Sequence, residues 1–91
     1  MKVTYKKRRG TDKVHAHTEV CFNGHVVGYY MPNNSPAAAE GENWNFSSQR
    51  AQLHSFYTRT QDEMKDTLIK LALGTPVELN LSFGRTVKVN T

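Results

Sequence analysis

The dipeptide Asn23-Gly24 lies between two runs rich in β-branched and aromatic residues, Lys13 to Phe22 and His25 to Met31. Both central positions of a two-residue type I′ turn need positive φ, which asparagine and glycine accept most readily, so the stretch reads as a tight β-hairpin. A turn of that length also sets the pairing. Phe22 falls opposite His25, Val20 opposite Val27, Thr18 opposite Tyr29 and Ala16 opposite Met31, on a mostly apolar face. The other face then carries Cys21 with Val26, Glu19 with Gly28 and His17 with Tyr30, with His15 beyond.

The neighbouring segments extend this sheet. Val3 and Tyr5 alternate with Lys2, Thr4 and Lys6, the period of a strand, within a basic N-terminal segment 1–9 that ends at the turn-forming Gly10-Thr11-Asp12. Residues 32–43 combine Pro32, Pro36, Gly41, asparagines and a run of alanines without apolar periodicity, which marks a flexible loop. Trp44 and Phe46 alternate with Asn45 and Ser47, a short strand with two core aromatics. Between Ser48 and Thr58 the pattern fits helix and strand equally.

The strongest helical signal follows. Thr60 precedes Gln61-Asp62-Glu63 as a capping box, and Met64, Leu68, Leu71 and Ala72 make one apolar stripe. Gly74 and Pro76 end the helix, giving residues 61–73. In the C-terminal segment 76–90, Val77, Leu79 and Leu81 alternate with polar residues, as do Val87 and Val89. A three-residue loop Phe83-Gly84-Arg85 would pair Leu81 with Val87 and Leu79 with Val89. At 91 residues the chain supports one core, so residues 1–91 are expected to form one α+β domain. Its sheet is antiparallel and built from β-hairpins, with one main α-helix packed on one face.

Charge is distributed unevenly. Residues 1–13 hold Lys2, Lys6, Lys7, Arg8, Arg9 and Lys13 against Asp12 alone, six basic to one acidic for a net +5, while the whole chain carries +4. A polyanion partner is therefore expected at this end. If Val3 and Tyr5 face the core, Lys2, Thr4, Lys6 and Arg8 share the outer face with His15, His17 and Tyr30. Cations beside planar rings are what a single-stranded nucleic acid needs, for its phosphates and its bases respectively. The expected DNA- or RNA-binding set is Lys2, Lys6, Lys7, Arg8, Arg9, Lys13, His15, His17 and Tyr30. The helix carries Asp62, Glu63, Lys65, Asp66 and Lys70, a net −1, which argues against insertion into a duplex groove.

Other chemistries have weaker support. His15, His17, Glu19 and Cys21 alternate along one strand, but only adjacent members could share an ion, so no metal and no cofactor are expected. The chain lacks a nucleophile elbow and a phosphate-cradling glycine loop. His17, Tyr30 and Arg8 on one face would suit a metal-independent ribonuclease. A protein-binding inhibitor or adaptor could use the 32–43 loop, a sheet edge, or exposed Trp44 or Tyr57. Without an apolar leader or spanning stretch, and with Cys21 as the single cysteine, the expectation is a cytoplasmic protein with no membrane partner. Charge placement favours a small non-enzymatic nucleic-acid-binding accessory or regulatory protein.

Overall fold

In the computed structural model, which describes residues 2–89 and gives Phe83 by its backbone alone, the Asn23-Gly24 turn forms with φ of 52° and 81°. It joins two of seven strands: β1 (Val3–Arg8), β2 (His17–Phe22), β3 (His25–Pro32), β4 (Trp44–Ser48), β5 (Phe56–Thr58), β6 (Val77–Asn80) and β7 (Thr86–Val89). The single α-helix, α1 (Gln61–Leu73), lies between β5 and β6 in sequence. The strands form one antiparallel sheet in chain order, so β1 and β7 are its edges.

Register in the first hairpin departs from expectation at one residue. Next to the turn Phe22 pairs with His25 and Cys21 with Val26, but then Val20 pairs with Gly28, Glu19 with Tyr29 and Thr18 with Tyr30. Val27 is the extra residue of a β-bulge: two residues of β3 pass while β2 advances by one. Its side chain is buried and its carbonyl accepts from the Gln49 N–H at 2.9 Å. Beyond it the side-chain parity of β3 is reversed. Tyr30, expected on the outer face, is therefore buried at 2% exposure, and Tyr29 takes the outward position.

The rest of the sheet follows this parity. Tyr30 pairs with Phe46 and Phe46 with Phe56, and these three join Val20, Val27 and Leu79 in one buried cluster. Met64, Leu68 and Leu71 of α1 belong to the same cluster, and Ala72 is buried too. Helix boundaries and caps are those the sequence indicates. Thr60 Oγ1 accepts from the Glu63 N–H at 3.1 Å, and the Glu63 carboxylate accepts from the Arg59 N–H at 3.2 Å. At the other end Gly74 adopts φ 73°, while its N–H and that of Thr75 bond to the Leu71 and Lys70 carbonyls.

Three further segments refine the expectations. Lys13 to Ala16 do not extend β2; Thr11 gathers them into a turn, its N–H bonding to the Val14 carbonyl at 2.7 Å and its Oγ1 accepting from the Val14 N–H at 3.1 Å. Residues 33–43 form a loop pinned by Asn33, whose N–H bonds to the Asn43 carbonyl and whose Nδ2 bonds to the Glu42 carbonyl, each at 2.8 Å. In the last hairpin Leu79 pairs with Val87 and Val77 with Val89, two residues from the expected register. A 3₁₀ turn at Ser82–Gly84 lengthens the loop, and because the slip is even the apolar side chains stay together. Asn90, the expected end of that hairpin, and Met1 lie outside the described residues.

Two core positions yield direct tests. A Cβ on Gly28 would collide with the Ser47 carbonyl oxygen and come within 2.6 Å of Phe46 Cζ. Gly28→Ala is expected to cost at least about 2 kcal/mol, read as a lowered denaturant midpoint, because the contact includes backbone that cannot swing aside. Tyr5 packs edge-on to Tyr30 at 6.2 Å, with its hydroxyl buried and lacking a hydrogen-bond partner. Burial, with a smaller contribution from the nearby Tyr30 phenol, pushes the Tyr5 pKa above the ordinary phenol value. A raised acid pKa favours the folded protein only while the group stays protonated, so this contribution is lost as pH climbs above about 10. Tyr5→Phe is expected to be neutral or to stabilise by up to about 1 kcal/mol near pH 7. Its advantage over the wild-type chain should widen in thermal unfolding at more alkaline pH.

Candidate nucleic-acid interface

The outer face of the sheet is built in rows by strand pairing. Thr4, Cys21 and Val26 form one row; Lys6, Glu19, Tyr29 and Ser47 form the next; Arg8 and His17 form a third. Directly opposed residues in antiparallel strands hold their Cβ atoms about 4.5–5.5 Å apart, so the members of each row are lateral neighbours. Farther across, Met31, Asn45, Tyr57, Asn80 and Thr86 continue the face toward β7.

At the meeting of the second and third rows, the rings of Tyr29 and His17 lie 5.0 Å apart, tilted by 57°. His17 Nδ1 lies 2.9 Å from the His15 carbonyl oxygen. A carbonyl only accepts, so Nδ1 carries a proton, and in the neutral ring Nε2 is left as an acceptor. The bond also fixes the ring's orientation. Arg8 reaches back to Glu19, with a guanidinium nitrogen 3.4 Å from Oε1. Both partners keep solvent access, and this geometry contributes little to stability.

A cleft of about 340 Å³ lies beside these rings and is lined in part by the connection between β1 and β2. Lys13, His15, His17, Glu19, Tyr29 and Met31 line it. Val14, also in its lining, is half-exposed. The volume is within the range of clefts that hold small ligands.

The residues expected to bind nucleic acid divide into three groups. Lys6, Arg8 and His17 share the outer face, with Lys13 and His15 at its rim. Lys2, Lys7 and Arg9 are exposed along the β1 edge, Lys7 with the opposite parity, across from Thr18. Tyr30 is removed from the site, and with it the Arg8, His17 and Tyr30 constellation that a ribonuclease would have used. The reason is the bulge at Val27. Tyr29, which sequence reasoning placed in the core, supplies the aromatic ring instead. Gly28 carried a usable signal, since an isolated glycine inside a strand marks a bulge or a close backbone approach.

Among the described residues no three His, Cys, Asp or Glu side chains converge as metal ligands. No helix among them is long and apolar enough to cross a membrane. Trp44 is half-buried against the core, its ring 5.9 Å from that of Tyr30, while Tyr57 stands on the outer face between Asn45 and Asn80. No protein-family model, no curated protein and no solved structure matches this chain, so function has to be argued from the geometry.

Proposed function

We propose that α1 packs on the inner face of the sheet and that the open outer face binds single-stranded nucleic acid, as a non-enzymatic accessory or regulatory protein. One observation carries this reading: Lys6 and Arg8 stand in adjacent rows with the paired rings of Tyr29 and His17 on one face. Phosphates on the cations and a base on the rings would be satisfied together at this spacing, because each nucleotide carries one of each. Lys2 and Lys13 extend the cationic track beyond the rings, and exposed Lys7 and Arg9 along the β1 edge add positive charge beside it. Stacking needs unpaired bases, so the rings favour single strands over duplex.

An acidic protein strand is the second candidate, favoured by the position of β1 at the sheet edge. The same lysines and arginines guard an edge strand against self-association, which makes it a selective surface for an acidic partner. The aromatic pair on the outer face has no role in edge addition, and that is why nucleic acid is preferred.

Anisotropy titrations of labelled single strands of about a dozen nucleotides, beside a duplex of equal length, test the proposal. Affinity is expected to fall steeply between about 50 and 200 mM salt. Replacing Lys6, Lys7, Arg8 and Arg9 together should reduce the slope of log affinity against log salt by roughly three for single strands. Tyr29→Ala should weaken single-strand binding by about 1 to 3 kcal/mol and duplex binding less. Absence of binding to either probe at low salt rejects the proposal and turns attention to an acidic protein partner.

A further inference from the structure

Glu19 is out of place on a face that binds a polyanion. It lies directly between Lys6 and Tyr29 in one row and draws Arg8 toward itself, so it cancels positive charge where phosphates would sit. If charge alone governed binding, this carboxylate would only weaken it. Its position offers a different role. Glu19 lines the same cleft as the Tyr29 and His17 ring pair, and it is the cross-strand neighbour of Tyr29.

A base stacked on Tyr29 would therefore present an edge to the Glu19 carboxylate. An ionised carboxylate has two oxygens and can only accept hydrogen bonds, with about four lone-pair sites between them. Arg8 approaches Oε1 alone, at 3.4 Å, which leaves acceptor capacity on both oxygens. Among the bases, only guanine offers two adjacent N–H donors on its Watson–Crick edge, at N1 and at the exocyclic N2. Cytosine and adenine each set one exocyclic donor beside a ring acceptor, which would face a carboxylate oxygen in repulsion. Thymine and uracil place a single N–H between two carbonyls.

We infer that this cleft is a base-selective pocket for guanine, in which Glu19 reads the N1 and N2 donors of a base stacked on Tyr29. The inference rests on the nucleic-acid reading and specifies which single strands it favours. Lys6 stands across from Glu19 in its row, a guanidinium nitrogen of Arg8 lies 3.4 Å from Oε1, and Lys13 lines the same cleft, where it would meet a flanking phosphate. The cation track supplies affinity and the one acid supplies selection, a division usual in nucleic-acid recognition.

The test compares short thymidine strands that differ at one central position, carrying guanine, adenine, cytosine or thymine. The guanine strand is expected to bind about tenfold more tightly than the other three, the discrimination of one good bidentate contact. Glu19→Gln should abolish that preference and move it toward adenine and cytosine, because an amide offers one donor beside one acceptor. The same variant should bind the all-thymidine strand as well as or better than the wild type, since Arg8 is released and a negative charge is removed from the face. Equal binding of all four strands by the wild-type chain overturns the guanine pocket while leaving single-strand binding intact. A guanine preference that survives Glu19→Gln overturns the role of Glu19. Failure of every strand to bind rejects both this inference and the reading beneath it.

Discussion

The bulge at Val27 determines the character of both faces of the sheet. Without it, alternation along β3 would bury Tyr29 and expose Tyr30, as a regular hairpin from Asn23-Gly24 requires. The extra residue puts Val27 and Gly28 on the inner side in succession. Gly28 can stand there because it has no Cβ to strike the Ser47 carbonyl and the Phe46 ring. Tyr30 is then free to pair with Phe46 in the core, with its hydroxyl accepting from Gln61 Nε2 at 3.1 Å. That contact ties the first turn of α1 to the sheet. One backbone irregularity thus links core packing, helix placement and the identity of the outward-facing ring.

Charge placement depends on the same geometry. β1 is an edge, and its pairing with β2 puts Lys6 and Arg8 beside Glu19 and His17. Lys65 on α1 lies over the Tyr5 ring, 5.3 Å from its centroid, so that cation is engaged by a core aromatic. Cations on an edge strand guard it against self-association, and under the proposed function the same charges would attract a polyanion to the adjoining face. On this view, the basic N-terminal segment works as part of a folded surface rather than as a tail.

Much of this architecture was legible from local chemistry. Asn23-Gly24 specified its turn because few residues tolerate two successive positive φ values. The limits of α1 were legible because Thr60 and Gly74 act on backbone groups within a few residues of themselves. What escaped depends on distant partners. The Val27 bulge is held by the Gln49 N–H from another part of the chain, and nothing within β2 or β3 dictates it except the hint of Gly28. The two-residue slip at the last hairpin preserves the apolar face, so hydrophobic pattern alone could not choose between registers. The outer face was legible in the same proportion: its cations by composition, His17 by alternation, and Tyr29 only after the bulge was known.

The most direct test of the central claim, that the outer face of this sheet holds a single strand with Tyr29 as its stacking ring, is residue-resolved NMR during titration with a short oligonucleotide. Ring and amide signals of Tyr29 and His17 and amides of Lys6, Arg8 and Glu19 should shift together and saturate at one concentration. Signals of Tyr30, Phe46 and Leu68, buried in the core, should stay within the spread of unaffected residues. Shifts concentrated on α1 or on the β6–β7 hairpin, with Tyr29 unmoved, would contradict the claim.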